Sequence, residues 1–164
     1  IGSFQRDTEG KDLISPKLSK GPDRFMEIIK YLKENTPNLH VVLTGKRRQY
    51  IIENLNKNGI KFSYFEMTNF DELNDLYNIL DLYVVASRVE GGPQSILECA
   101  LTKTPLISTD VGVASKILSK ESIFDMDNFF DATPNTQAAY SNVKRYTIPE
   151  GFLEFNREFL KNEN

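Results

Sequence analysis

Short apolar runs alternate along this chain with stretches in which apolar residues recur every three or four positions. The runs have the length of strands, and they cover residues 1–4, 40–43, 61–65, 82–86, 105–108 and 123–124. The stretches with helical spacing lie between them, at 22–35, 51–58, 69–80, 95–103 and 112–118. The pattern therefore predicts strands and helices in regular alternation.

Residues at the ends of these stretches support the predicted helices. Asn58-Gly59 is a typical helix C-terminus, because glycine tolerates the left-handed conformation there. Asn69, followed by Glu72 three residues later, is typical of a capping box at a helix N-terminus. These signals indicate short connections between the elements.

Alternating strands and helices favour a doubly wound, Rossmann-like α/β fold with a mostly parallel sheet of about six strands. The strands are solid apolar runs, which is typical of a sheet with helices on both faces. The segment 125–148 loses periodicity, so we expect an irregular loop there. A terminal helix is expected at 149–161, with Phe152, Phe155 and Phe159 along one side.

Composition narrows the possible functions. The 164 residues favour one domain, and a net charge of −3 argues against non-specific nucleic-acid binding. The apolar runs are far shorter than the roughly 20 residues that span a bilayer. The single cysteine, Cys99, excludes an internal disulfide, is expected in the core and fits a cytoplasmic protein. Because a core strand begins at the first residue, we expect residues 1–164 to be one domain cut from a longer chain.

The stretch from Glu90 to Glu98 is the strongest candidate for a functional site. It follows an apolar strand, turns at Gly91-Gly92 and opens a helix at Pro93, a residue suited to the first helical position. Free N–H groups and the helix dipole make such a helix N-terminus an anion site. A carboxylate on each side suggests that the anion carries hydroxyl-bearing groups.

In an open α/β sheet, ligands bind beyond the carboxyl ends of the strands. The loops expected at that edge hold cations suited to a phosphate ester; these are Arg6, Lys20, Lys46, Arg47, Arg48 and Arg88. Lys46-Arg47-Arg48 is interpreted as the solvated start of the second helix. The single histidine, His40, lies at the amino end of its strand, so a packing role is expected for it.

These residues resemble the C-terminal, donor-binding half of a GT-B glycosyltransferase, close to glycosyltransferase family 4 (glycosyl transferases group 1). The family signature is a pair of glutamates with seven residues between them, as in Glu90 and Glu98. Residues 105–112 resemble the strand and loop that follow, and Lys20-Gly21 resembles the lysine-glycine near the start of this domain. The resemblance covers residues 1–125 in order.

The resemblance implies a role for each matching residue. Glu90 would contact the donor sugar, Glu98 would accept both ribose hydroxyls, and Arg6 with Lys20 would neutralise the departing diphosphate. Glu90, Arg6 and Lys20 would therefore be the catalytic group. The remaining donor-binding residues would lie against the sugar, the diphosphate and the base; they are Gly91, Gly92, Gln94, Ser95, Gly45 and Met67.

The implied activity is a retaining transfer of a hexose from a nucleoside-diphosphate sugar, such as a UDP-sugar or GDP-sugar, to a glycan, lipid or small-molecule acceptor. No metal and no cofactor are implied. A missing N-terminal domain would hold the acceptor, so the fragment alone is expected to be inactive. The full-length protein would be cytoplasmic, and peripheral association with the cytoplasmic membrane face is compatible with this family.

The sequence departs from the family pattern in several places, among them the following two. Thirteen residues separate Arg6 from Lys20, a longer gap than in typical members. Lys103 stands where a glycine normally ends the motif helix, and a left-handed lysine there would cost about 1 kcal/mol.

Other functions are compatible with parts of the pattern. A second GT-B enzyme, such as a nucleotide-sugar epimerase, would use the same donor site. A non-enzymatic α/β ligand-binding module is a third hypothesis; a receiver domain would need an aspartate at the end of the third strand, and residues 61–67 contain none. Asp125-Met126-Asp127 resembles the metal-binding triplet of another glycosyltransferase fold, on that short match alone.

Overall fold

The computed structural model describes residues 1–11 and 13–160. Six parallel strands form one sheet in the order β3-β2-β1-β4-β5-β6. The strands are β1 (Gly2–Ser3), β2 (His40–Thr44), β3 (Lys61–Phe65), β4 (Tyr83–Val85), β5 (Leu106–Thr109) and β6 (Ile123–Phe124). The predicted Rossmann-like fold with about six strands is therefore confirmed.

Seven α-helices accompany the described strands. They are α1 (Pro22–Asn35), α2 (Gln49–Lys57), α3 (Phe70–Asn78), α4 (Gln94–Thr102), α5 (Ala114–Ile117), α6 (Thr136–Val143) and α7 (Glu150–Leu160). The capping box at the start of α3 is present: the Glu72 amide donates to the Asn69 side chain, and the Asn69 amide donates to the Glu72 carboxylate.

Each face of the sheet has its own hydrophobic core. Tyr83 and Val85 of β4 pack with buried residues of α3, α4, α5 and α6. Val84, between them, packs on the opposite face with buried residues of α1 and α2. Successive side chains of a strand point to opposite faces, so a sheet covered on both sides needs uninterrupted apolar strands, as the sequence has.

The expectation of an irregular loop over 125–148 is wrong for its second half, where α6 forms. The Asn135 side chain caps this helix by accepting from the Ala138 amide, and Ala139 and Val143 are its buried residues. Two small buried side chains in eight residues leave only a weak helical period in the sequence. The terminal helix α7 lies within the expected range, whose last position, 161, is outside the described residues.

Arg48 is not the solvated residue that the charge run predicted, because its side chain is completely buried. Its Nε lies 2.8 Å from Asp7 Oδ2, and its Nη1 donates to the carbonyl oxygens of Ser3 at 2.6 Å and Thr44 at 3.0 Å. The guanidinium thus ties together the carboxyl ends of β1 and β2. The prediction failed because the run of charged residues does not reveal that folding brings the Ser3 and Thr44 carbonyl oxygens around Arg48.

Among the described helices, none combines the length and the apolar composition needed to cross a membrane.

Candidate functional site

A cleft of about 400 Å³ opens at the carboxyl edge of the sheet. It lies over β1 and β4, where the strand order reverses, which is the usual place for a ligand in an open α/β sheet. The lining residues come from the segments that follow β1, β2, β3 and β4, from α3 and from the first turns of α4. They are Phe4, Gln5, Lys20, Thr44, Gly45, Glu66, Met67, Thr68, Leu73, Tyr77, Glu90, Pro93, Gln94, Ser95 and Glu98.

Glu90 and Lys20 meet at one side of this cleft. Lys20 Nζ lies 2.7 Å from Glu90 Oε2, and the other oxygen of the carboxylate accepts from the Ser87 hydroxyl. The Glu90 side chain is 9% exposed and the Lys20 side chain 27%. The Glu90 carboxylate is therefore nearly buried and held in one orientation, whereas Lys20 remains accessible to a ligand.

Backbone contacts hold the Lys20 segment against the loop after β4. Gly21 has a φ of 63°, and a Cβ at that position would lie 1.9 Å from the Ala86 carbonyl oxygen. On the outer side, Arg88 makes two hydrogen bonds to the Asp23 carboxylate, at 2.8 and 2.6 Å, and its amide donates to the Ser19 carbonyl. Only glycine permits this approach, so Gly21 places Lys20 beside Glu90.

The N-terminus of α4 borders the same cleft. Pro93 precedes the first turn, which leaves the Gln94 and Ser95 amides at the start of the helix, where the dipole favours an anion. Gly91 and Gly92 are exposed and do not line the cleft. Gly112 packs against them so closely that a Cβ on it would lie 2.8 Å from the Gly91 carbonyl.

Glu98 lies one turn further along α4. Its Oε2 accepts a hydrogen bond of 2.6 Å from the Tyr77 hydroxyl on α3. The Tyr77 ring is buried and packs on Phe4, with 4.9 Å between ring centroids, and on Tyr83, at 5.6 Å. The second glutamate of the pair is thus attached to the wall of the cleft through an aromatic cluster.

The structure brings most of the predicted site residues to one cleft. Lys20, Glu90 and Glu98 line it, and so do Gln94, Ser95, Gly45 and Met67. Arg6 does not: its side chain is exposed, and its Nε donates to the Thr8 carbonyl at 2.8 Å. The neighbouring Gln5 lines the cleft instead.

His40 and Cys99 lie away from the cleft. His40 is the first residue of β2, at the opposite edge of the sheet as expected, but its side chain is exposed and not packed; its Nε2 lies 2.9 Å from Ser63 Oγ. Cys99, a residue of α4, is fully buried in the core, as predicted. Its burial raises the pKa of its thiol well above the ordinary value.

Sequence reasoning missed two residues that hold the glutamates, Ser87 and Tyr77. Ser87 is a small polar residue at the end of an apolar strand, and Tyr77 belongs to the apolar stripe of α3. The sequence did contain one indication of the Tyr77 contact: a tyrosine in an apolar helix stripe has a phenol that needs a hydrogen-bond partner once it is buried.

Asp125-Met126-Asp127 forms a local turn in which Asp125 Oδ1 accepts from the Asp127 amide at 2.9 Å. Over residues 1–11 and 13–160, no group of three or more histidine, cysteine, aspartate or glutamate side chains is placed to hold a metal ion.

Comparison with known proteins identifies a family. Residues 15–145 match the family model described as glycosyl transferases group 1. The comparison with curated proteins finds no significant match.

Several solved structures share the fold. A glycosyltransferase from Rickettsia africae has a TM-score of 0.70 at 20% identity, with 98% of this chain and 48% of that chain covered. A mutant of TarM from S. aureus, solved in complex with fondaparinux, alpha-GlcNAc-glycerol and UDP, has a TM-score of 0.71 at 13% identity, covering 98% and 34%. The catalytic domain of the cholesterol-alpha-glucosyltransferase from Helicobacter pylori has a TM-score of 0.58 at 18% identity, covering 99% and 93%.

These neighbours are GT-B glycosyltransferases, so the expected resemblance to that fold is confirmed, whereas membership of family 4 stays a prediction. The chain spans about a third of the length of the TarM structure.

Proposed function

The chain belongs to the glycosyl transferases group 1, and we propose that it is the nucleotide-sugar-binding part of a retaining, metal-independent enzyme of that family. The observation that carries the proposal is the meeting of Glu90, Lys20 and Glu98 in one cleft at the switch point of the sheet. We assign to it the transfer of a hexose from a nucleoside-diphosphate sugar to a glycan, lipid or small-molecule acceptor.

The donor would lie along the start of α4. Its diphosphate would accept from the Gln94 and Ser95 amides, and its ribose would donate to Glu98. The four residues from Gln94 to Glu98 correspond to about 6 Å along a helix, which is close to the distance from a diphosphate to its ribose. Gly45 and Met67, at the ends of β2 and β3, would border the base.

Lys20 would supply the positive charge that a departing diphosphate needs. In the structure it is paired with Glu90, so phosphate binding would share Lys20 between the two anions. A fixed cation beside the leaving group stabilises charge as it develops, which is why no metal is required by this proposal. Arg6 could share the role only after its side chain leaves the Thr8 carbonyl.

Glu90 would then contact the hydroxyls of the sugar. Its carboxylate is held by Ser87 and Lys20, so it is oriented before a sugar arrives. We propose that the configuration at the anomeric carbon is retained and that the leaving phosphate helps to deprotonate the acceptor.

Calorimetric titration with UDP, GDP and ADP, without added metal, tests the donor site. We expect one of them to bind, and Glu98→Ala to weaken it at least about tenfold, because each hydrogen bond to a charged group is worth about 1.5–3 kcal/mol. Glu53→Ala is the matched control, since Glu53 is an exposed glutamate on α2 that pairs with Lys57. Absence of binding, or equal loss in the control, would show that the site is misassigned.

A second experiment concerns the completeness of the enzyme. We propose that another domain of the same protein binds the acceptor, so this chain alone should turn over nucleotide sugar negligibly. Rapid, acceptor-dependent release of the nucleoside diphosphate by residues 1–164 would contradict that part of the proposal.

A further inference from the structure

The Tyr77 hydroxyl holds the Glu98 carboxylate from inside the protein. The bond between them measures 2.6 Å and ends on Oε2; within the described part of the chain, no partner for Oε1 is found. A hydrogen bond to an ionised carboxylate is about twice as strong as one between neutral groups. The carboxylate is therefore anchored at one oxygen and open at the other.

Tyr77 is itself fixed in place. Its side chain is buried between Phe4 and Tyr83, and its backbone carbonyl accepts from the Thr104 hydroxyl at 2.9 Å. Burial, followed by the neighbouring Tyr83 and Cys99, raises the pKa of Tyr77 far above its usual value. The phenol therefore keeps its proton at neutral pH, so it can donate to Glu98 both before and after a ligand binds.

An unanchored glutamate on a helix has three rotatable bonds, and a ligand that binds it must order all of them. Ordering one such side chain costs about 0.5–1.5 kcal/mol of binding free energy, or a factor of about 2–12. In this cleft the aromatic cluster has already ordered Glu98 before the ligand arrives. This saving in binding free energy applies only to a ligand whose hydrogen-bond donors lie opposite the lone pairs of Glu98 that Tyr77 leaves open.

We propose that Tyr77 is a positioning residue that orients Glu98 for the two adjacent hydroxyls of a ribose, so that the site selects ribonucleoside diphosphates over their 2′-deoxy forms. The inference rests on the proposed function, because Glu98 must be the residue that contacts the ribose. It adds a specificity determinant on α3, outside the glutamate motif.

The test compares dissociation constants for UDP, GDP and ADP with those for the corresponding 2′-deoxynucleoside diphosphates. Tyr77→Phe keeps the packed ring and removes only the hydroxyl. The wild-type chain should prefer the ribonucleotide at least about tenfold, and Tyr77→Phe should reduce that preference about 2- to 10-fold. Binding of inorganic pyrophosphate, which has no ribose, should be unchanged in the variant.

Two further variants separate positioning from general loosening of the site. Tyr83→Phe removes a phenol from the same cluster, one that accepts from the Phe4 amide at 2.8 Å and does not contact Glu98. It should keep the wild-type preference for ribose. Glu98→Ala and the double variant Tyr77→Phe/Glu98→Ala should have the same preference as each other, because alanine leaves no acceptor through which the phenol could act.

The possible outcomes are distinct. If Glu98→Ala loses the preference and Tyr77→Phe keeps it, the positioning role is overturned while the proposed donor site stands. If Glu98→Ala changes neither affinity nor preference, the proposed function itself fails. Equal losses in Tyr77→Phe and Tyr83→Phe overturn the positioning role in favour of a structural one.

A variant that fails to fold is replaced by a measurement on the intact chain. With 3-fluorotyrosine at position 77, the fluorine resonance should shift more with the ribonucleotide than with its 2′-deoxy form. Equal shifts overturn the proposal.

Discussion

Arg48 offers the sharpest test of how the cleft is supported, because it joins the two strands that flank the switch point on one side. Arg48→Met keeps a long side chain and removes the guanidinium. The change leaves the Asp7 carboxylate buried without its partner, and it leaves the Ser3 and Thr44 carbonyls without the donor that now contacts both.

The expected cost is large for a single substitution. Breaking a buried ion pair from one side costs about 3–5 kcal/mol, because the remaining charge has no compensation. A domain of this kind has a total free energy of unfolding of about 5–15 kcal/mol, so Arg48→Met removes a substantial part of it.

The cost should also depend on pH. Burial raises the pKa of Asp7 even with Arg48 present, and removal of the cation raises that pKa further. A carboxyl whose pKa is higher in the folded state than in the unfolded state favours folding while it is protonated, and this contribution is lost as the pH rises through the folded pKa. Arg48→Met should therefore cost more at pH 7 than at pH 5.

Urea unfolding at the two pH values measures these differences. Arg47→Met is the matched control: Arg47 is only partly buried, donates to the Gly10 carbonyl and should cost less than about 1 kcal/mol. The double variant Asp7→Asn/Arg48→Met should be more stable at pH 7 than Arg48→Met, because it contains no unpaired charge. A cost below about 1 kcal/mol for Arg48→Met, or a double variant less stable than the single one, would show that the buried ion pair does not support the two strands.

Three further predictions concern stability and reactivity. Lys103 has a φ of 58° at the end of α4, and its Nζ lies 4.4 Å from the Tyr140 ring centroid. Lys103→Gly should raise the melting temperature, because the roughly 1 kcal/mol of backbone strain that it removes outweighs the lost cation–π contact. A lower melting temperature would contradict this prediction. The hydrogen bonds from Arg88 lower the pKa of Asp23. Asp23→Asn should therefore remove less than about 1 kcal/mol of stability at pH 7, and this difference from the wild type should disappear as the pH falls below about 4. A difference between the urea midpoints of the two proteins that does not change with pH would argue against it. Cys99 is buried and its thiol pKa is raised, so it should react with a thiol reagent at neutral pH only after unfolding, whereas rapid labelling of the native chain would refute its core position.

Much of the fold follows from the sequence for a simple physical reason. A parallel sheet with two covered faces needs strands without polar alternation, and the run at 82–86 has that property. The α6 segment was missed because its buried side chains are few: Ala139 and Val143 alone give a weak helical period. Its helix depends on packing against α4 and α5, which local sequence does not contain.

The site was predictable where one local pattern defines it. A strand, two glycines and a helix N-terminus place Glu90 and Glu98 at the same edge, and the structure has both in one cleft. The partners of these glutamates come from distant parts of the chain: Tyr77 is 21 residues from Glu98. Such contacts arise only when the sheet brings α3 beside α4.

The different positions of Arg6 and Lys20 could not be predicted from the sequence alone. Both are cations in the first loop, and spacing alone does not distinguish them. Only Lys20 precedes the glycine that permits the close approach to the Ala86 carbonyl, and only Lys20 lines the cleft. The separation of their roles depends on that backbone contact.

The proposed donor site can be tested by a crystal structure with the nucleoside diphosphate that binds best among UDP, GDP and ADP. We expect the diphosphate to lie against the Gln94 and Ser95 amides and both ribose hydroxyls to lie within about 3 Å of Glu98. Lys20 should lie between Glu90 and a phosphate oxygen. A nucleotide bound elsewhere, or one whose ribose points away from Glu98, would contradict the proposed donor site.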